Sequence, residues 1–129
     1  MTLLLDTHVF LWLLSQPEKL SSRTRDRIAY LDSDVFVSLV SLWEIQLKQR
    51  SGKLVADVPS LVRQMHPNSK LRWLPLSVAH IHQLGRLPMV TPYRDPFDHL
   101  LIAQAIAEGM TLVTADRHVP LYPVTVMAP

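Results

Sequence analysis

The sequence predicts an α/β domain built on a largely parallel sheet. Three observations carry that expectation. Short, continuous apolar runs such as "LLL" (Leu3–Leu5) and "LVT" (Leu112–Thr114) suit strands covered on both faces. They alternate with longer segments that have helical spacing and capping residues. No internal repeat, low-complexity tract or linker breaks the alternation across the 129 residues, so one domain spanning residues 1–129 is expected.

In chain order, "TLLL" is a short apolar strand, and "THVFLWLLS" a helix stopped before Pro17. "SSRTRDRIAYLD" is a second helix with serines placed to cap it, followed by the strand "DVFVS". "SLVSLWEIQLKQRSG" is a helix ending at Gly52, a residue favoured just past a helix end. "VPSLVRQMHPNS" reads as a helix with proline at its start and end, then "LRWLPL" as a strand. "SVAHIHQLG" is a helix opened by Ser77 and closed by Gly85. The helix "PFDHLLIAQAIAEG", the strand "MTLVT" and an edge strand "VTVM" complete the series.

Composition narrows the function. There is no cysteine, which excludes disulfides, thiolate zinc sites and cysteine nucleophiles and fits a reducing cytoplasm. Apolar residues make up 48% and charged residues 19%, the balance of a packed globular chain. A net charge of +2 is too small to argue for nucleic acid by itself. The local run "SSRTRDR", with Arg23, Arg25 and Arg27, is either a solvated helix face or a phosphate contact. The opening "MTLLLDTHVFLWLLS" has no basic segment, and Asp6 and His8 interrupt it, so it is not expected to be a signal peptide. No run reaches the roughly 18 apolar residues of a membrane span.

The acidic residues carry the chemistry. Asp6 ends the first strand, and Asp116 follows the late strand, two residues beyond Thr114. In open parallel α/β sheets, ligands sit outside the carboxyl ends of the strands. Either aspartate alone is better explained as a common βα-loop residue that caps the following helix. In "RDPFDHLLIAQAIAEG", Pro96 suits the first helical position, which makes Asp95 the cap. Asp98 then shares a face with Leu101, Ile102 and Ala105, the stripe expected to be buried. A carboxylate at the end of that stripe points towards the sheet and needs a partner there. Asp95 is therefore read mainly as a cap, and Asp98 as a candidate ligand. Glu44 stands i,i+4 from Lys48, the spacing of an exposed ion pair, yet shares a face with Val40 and Leu47. Both readings stay open.

Two such carboxylates 4 Å apart repel by about 4 kcal/mol at an effective dielectric near 20. A divalent ion removes the conflict, and oxygen-only ligands favour Mg²⁺ or Mn²⁺ over zinc.

Four stretches, "LLLDTHVFLWLL", "SLWEIQLK", "DPFDHLLIAQA" and "LVTADRH", occur in that order. Together they resemble the PIN-domain ribonucleases, in particular the VapC-type toxins of bacterial toxin–antitoxin pairs, over essentially the whole chain. The resemblance implies a three-layer α/β/α sandwich around a mostly parallel sheet, with acids clustered at its edge. It places the family's four acids on Asp6, Glu44, Asp98 and Asp116. The family's hydroxyl residue two positions before the last acid corresponds to Thr114. Asp6, Asp98 and Asp116 are then the expected metal ligands, and Thr7, Asp95 and Thr114 supporting residues. The resemblance also implies RNA cleavage with Mg²⁺ or Mn²⁺, a homodimer, and silencing by a cognate VapB-like antitoxin.

Other residues invite function with less force. His80 and His82, two apart on one helix, point about 200° apart, which suits joint ligation of zinc poorly. His8 and His99 neighbour proposed acids and are read as phosphate or antitoxin contacts, or as exposed polar side chains. Arg94 and Arg117 either bind RNA phosphate or balance the acids. Trp12, Trp43 and Trp73 lie in apolar segments and are expected in the core rather than as base-stacking platforms. The first two helices carry enough apolar surface to suggest a dimer or antitoxin groove.

Two rival classes fit worse. A phospho-acceptor signalling domain wants an acidic pair after strand one, but Asp6 is followed by Thr7 and His8. A haloacid-type phosphatase wants Asp-x-Asp, and the third position is His8. A PIN nuclease with a housekeeping rather than a toxin role is a further alternative.

Overall fold

The structure, a computed structural model, describes residues 1–90 and 95–129. Five strands run through it: β1 (Thr2–Leu5), β2 (Asp34–Ser38), β3 (Leu71–Leu74), β4 (Thr111–Val113) and β5 (Val126–Met127). Six α-helices connect them: α1 (Thr7–Ser15), α2 (Ser22–Ala29), α3 (Leu39–Arg50), α4 (Val58–Arg63), α5 (Val78–Leu84) and α6 (Pro96–Glu108). Short 3₁₀ turns lie at Pro17–Lys19 and Val119–Leu121.

The strands form one sheet in the order β3-β2-β1-β4-β5, and every pairing is parallel. The period-2 alternation of β1 divides the core. Leu3 and Leu5 face one side, packing with Val9, Phe10, Val35, Val37 and Ile45. Leu4 faces the other, packing with Ile102, Ala105, Leu112 and Tyr122. Both faces of the sheet are thus covered, which explains why its strands read as continuous apolar runs. Helices flank the sheet on both sides, as the three-layer expectation requires.

The order of the strands fixes where a ligand can sit. The chain leaves β1 towards β2 on one side, while β4 lies against β1 on the other. The connections therefore diverge at β1 and β4, opening a crevice at their carboxyl ends. The Asp6 N–H donates to the Val113 carbonyl at 3.1 Å, so the residue after β1 is tied to the end of β4.

Several expected elements are shorter than their sequence suggests, among them α2, which ends at Ala29, and β5, which is only Val126–Met127. The helix expected across "VPSLVRQMHPNS" stops at Arg63, well before Pro67. Strand β4 ends at Val113, so Thr114 to Asp116 form the turn that follows it. Gly109 closes α6 in the left-handed conformation, φ 66°, that a side chain resists. Nothing crowds a Cβ there, so the backbone alone sets the cost. Gly109→Ala is expected to lower stability by about 1 kcal/mol, read as a lower urea midpoint at unchanged slope.

Candidate active site

Each acid reaches the crevice on its own element. Asp6 is the N-cap of α1, its carboxylate accepting the Val9 N–H at 2.8 Å. Asp95 caps α6, accepting the N–H groups of Phe97 at 2.9 Å and Asp98 at 3.3 Å. That cap, with Pro96 in the first turn, sets the start of the helix and so the position of Asp98. Glu44 lies on the inner side of α3 and is 3% exposed. Asp116 sits in the turn after β4, where its carboxylate accepts the His118 N–H at 2.8 Å.

These side chains share one pocket of about 300 Å³, bordered by Asp6, Glu44, Asp95, Asp98 and Asp116. His8, Trp12, Lys48 and Ala115 complete its wall. The capping roles of Asp6 and Asp95 are real, and both also face the cavity, so the two sequence readings were not exclusive. The same holds for Glu44. It does pair with Lys48, at 2.6 Å, but from a buried position rather than an exposed helix face.

Hydroxyls organise the acids. Thr7 donates to Glu44 Oε1 at 2.7 Å and lies 3.0 Å from the Ser41 hydroxyl. Buried Thr114 hydrogen-bonds the Asp6 carboxylate and accepts the Asp116 N–H at 3.1 Å. One hydroxyl thereby joins the acid after β1 to the acid after β4.

The electrostatics are those of a crowded acidic site. Burial pushes the Asp6 carboxyl above its ordinary value, and the nearby Glu44 charge pushes the same way. Hydrogen bonds from Thr114 and Val9 and the charge of His8 oppose that shift without cancelling it. The Lys48 ammonium is held more firmly protonated by its hydrogen bond to Glu44, with burial opposing and the charges of Glu44, Asp95 and Asp98 adding.

Such a donor set, carboxylate oxygens with no sulfur, fits a hard divalent ion such as Mg²⁺ or Mn²⁺. Among the described residues, no three His, Asp or Glu side chains are close enough to enclose an ion by themselves. That spacing suits an ion that keeps several waters and takes one or two carboxylates directly.

The remaining expectations divide. His8 is exposed at the rim. His99 is part-buried, 3.1 Å from the Tyr122 hydroxyl. Arg117 is exposed beside Asp116. Arg94 lies outside the described residues. His80 is buried and His82 exposed, so the pair does not form a joint metal site. Trp12 and Trp73 are part-buried against the core, but Trp43 corrects the expectation: it is 56% exposed and meets Phe97 edge-on at 5.0 Å. The reason is helical geometry, because Glu44 and Ile45 occupy the inward positions and turn their neighbour outward.

Sequence reasoning missed three features. Lys48 was seen only as a partner for Glu44, although its four-residue spacing from a buried acid carries it into the pocket. His118 Nδ1 lies 3.1 Å from Asp116, a contact its i+2 spacing allows. A buried network also joins α6 to the rest: Ser38 donates to Gln104 Oε1, and Gln104 Nε2 donates to the Pro75 carbonyl at 3.4 Å and to His80 Nδ1 at 3.2 Å. Because His80 Nδ1 also accepts the Ser77 N–H, its proton sits on Nε2 and faces Glu108 at 2.9 Å. A glutamine and a histidine in apolar helices gave no sequence signal for this.

A parallel sheet of this order, with acids gathered at the divergence of β1 and β4, defines a class. The chain belongs to the PIN domain family, whose model matches residues 3–123. It is 29% identical over 125 residues to Ribonuclease VapC22 of Mycobacterium tuberculosis, covering 90% of this chain and 88% of that protein. Its fold resembles the crystal structure of VapBC2 from Rickettsia felis bound to a DNA fragment from their promoter. That match has a TM-score of 0.75 at 19% identity, over 99% of this chain and 98% of the other. It also resembles DNA-bound VapBC from Salmonella typhimurium, with a TM-score of 0.69 at 18% identity and the same coverage.

Proposed function

We propose that the protein is a metal-dependent endoribonuclease that hydrolyses RNA phosphodiester bonds as the toxin of a VapBC-type pair, silenced by a VapB-like antitoxin. The observation that carries this reading is the meeting of Asp6, Glu44, Asp98 and Asp116, from four separate parts of the chain, in one pocket at the divergence of the sheet. Likeness to a protein named as a ribonuclease, and to toxin–antitoxin complexes, supports it.

The residues divide the work by position. Asp6, Asp98 and Asp116 hold the ion, directly or through water. When bound, Mg²⁺ or Mn²⁺ supplies positive charge to the phosphodiester and makes water a better nucleophile. Thr114 fixes Asp6 and the Asp116 backbone relative to each other. Glu44, gripped by Thr7 and Lys48, offers its remaining lone pairs to orient the attacking water. His8 at the rim, and Arg117 and His99 next to Asp116 and Asp98 in the chain, serve as phosphate or antitoxin contacts. Among the described residues, no helix is long and apolar enough to cross a membrane, and the reading places the protein in the cytoplasm as a homodimer.

The test uses the purified chain free of antitoxin. It should cut single-stranded RNA with Mg²⁺ or Mn²⁺, stop with a chelator, and resume when the ion is restored. Incorporation of phosphate from a small phosphodonor, with RNA left intact, would favour the phospho-acceptor alternative. Cleavage without growth arrest on induction would point to a housekeeping nuclease.

A further inference from the structure

Among the described residues, Lys48 is the one lysine or arginine bordering the acidic pocket. Its place differs from that of an ordinary helix-surface pair. The Glu44 side chain it meets is 4% exposed, while Lys48 itself is 40% exposed, so the ammonium lies between a buried acid and the open cavity. Both Glu44 oxygens are engaged, Oε1 by the Thr7 hydroxyl at 2.7 Å and Oε2 by Lys48 at 2.6 Å. The backbone at Lys48 is also anchored, its carbonyl accepting the N–H groups of Lys53 at 2.8 Å and Leu54 at 3.2 Å.

We propose that Lys48 takes the place of a second metal ion, so that the site binds one divalent ion per chain. This rests on the nuclease reading of the pocket. Two-metal phosphodiester sites place ions about 4 Å apart, each sharing the acidic ligands. Here a second ion that recruited Glu44 would have to displace the ammonium already seated on it. If both stayed, a dication about 5 Å from the ammonium would lose on the order of 10⁵-fold in affinity at an effective dielectric near 20. The carboxylates of the single ion are then Asp6, Asp98 and Asp116. Glu44 with Lys48 forms a neutral pair beside them. The part-exposed ammonium faces the same cavity and meets the RNA phosphate as a fixed positive charge, the role a second ion otherwise plays.

The experiment counts ions without requiring catalysis. Metal-free protein is titrated with Mn²⁺ by calorimetry and by electron paramagnetic resonance of the unbound ion. The parent should bind one Mn²⁺ per chain. Lys48→Met, which keeps an apolar stem but removes the charge, should bind two, and Lys48→Arg, which keeps the charge, should bind one. Circular dichroism checks that each variant is folded, and Lys48→Gln replaces Lys48→Met if the latter is not. Two ions in the parent, or a folded charge-free variant that still takes only one, overturns the proposal. A parent that cuts RNA while holding two ions removes only this role of Lys48. A parent that binds no Mn²⁺ and cuts no RNA removes the nuclease reading itself.

Discussion

Replacing Asp6 by asparagine is expected to abolish RNA cleavage while making the metal-free protein more stable. The loss follows from position. Asp6 sits at the carboxyl end of the central strand, joined through Thr114 to the Asp116 turn, and is read as a ligand of the ion. Removing several kcal/mol of transition-state stabilisation lowers the rate by about 10³-fold. The gain in stability follows from burial, which raises the folded-state pKa of Asp6 above its ordinary value of 3.8. Between those two values the folded chain binds more protons than the unfolded chain, so stability falls as pH rises through that window. At neutral pH the ionised Asp6 is therefore a net cost to the metal-free fold. Asparagine removes the charge and keeps an oxygen to cap Val9. Asp6→Asn should thus melt above the parent at pH 7 without metal, and the difference should close towards pH 4. Added Mn²⁺ should raise the parent's melting point but not the variant's, because only the parent gains binding energy in the folded state. A variant that melts below the parent at pH 7 would contradict the burial argument.

The second large effect lies in the network behind the site. Gln104→Leu is expected to cost about 2–4 kcal/mol, because it strands buried groups at Ser38 and Pro75 that only Gln104 meets from α6. Ser38 also caps α3, accepting the Val40 N–H at 3.0 Å. Gln104 thus links the start of the helix that carries Glu44 to the helix that carries Asp98. The loss should appear as a lower urea midpoint, and cleavage should weaken even below the transition, where the chain is still folded. A variant as stable as the parent would show that these hydrogen bonds are offset elsewhere.

Much of this was legible in the sequence because the signals were local. The strands announced themselves as short apolar runs, and the helices by Ser21, Ser77, Asp95 and Gly109 at their ends. Asp98 could be placed because the stripe behind it, Leu101, Ile102 and Ala105, is buried as its spacing implies. Glu44 could not be settled by periodicity. Val40 on its face is buried but Leu47 is 41% exposed, so the stripe is broken near it. Resemblance to a family, rather than spacing, selected it. Trp43 was misplaced for a related reason: α3 mixes apolar and polar residues on every side and buries Ser41 and Glu44, so its pattern does not say which side meets the sheet. The His80–Gln104 network was invisible because it joins residues distant in the chain through contacts that carry no sequence period.

The central claim is that Asp6, Asp98 and Asp116 gather round a divalent ion. The most direct measurement is an anomalous difference map from a crystal soaked in Mn²⁺. A single strong peak bounded by those three carboxylates, absent from Asp6→Asn crystals, is the predicted result. A map with no peak in that pocket, or with the ion held by histidines elsewhere on the chain, would contradict it.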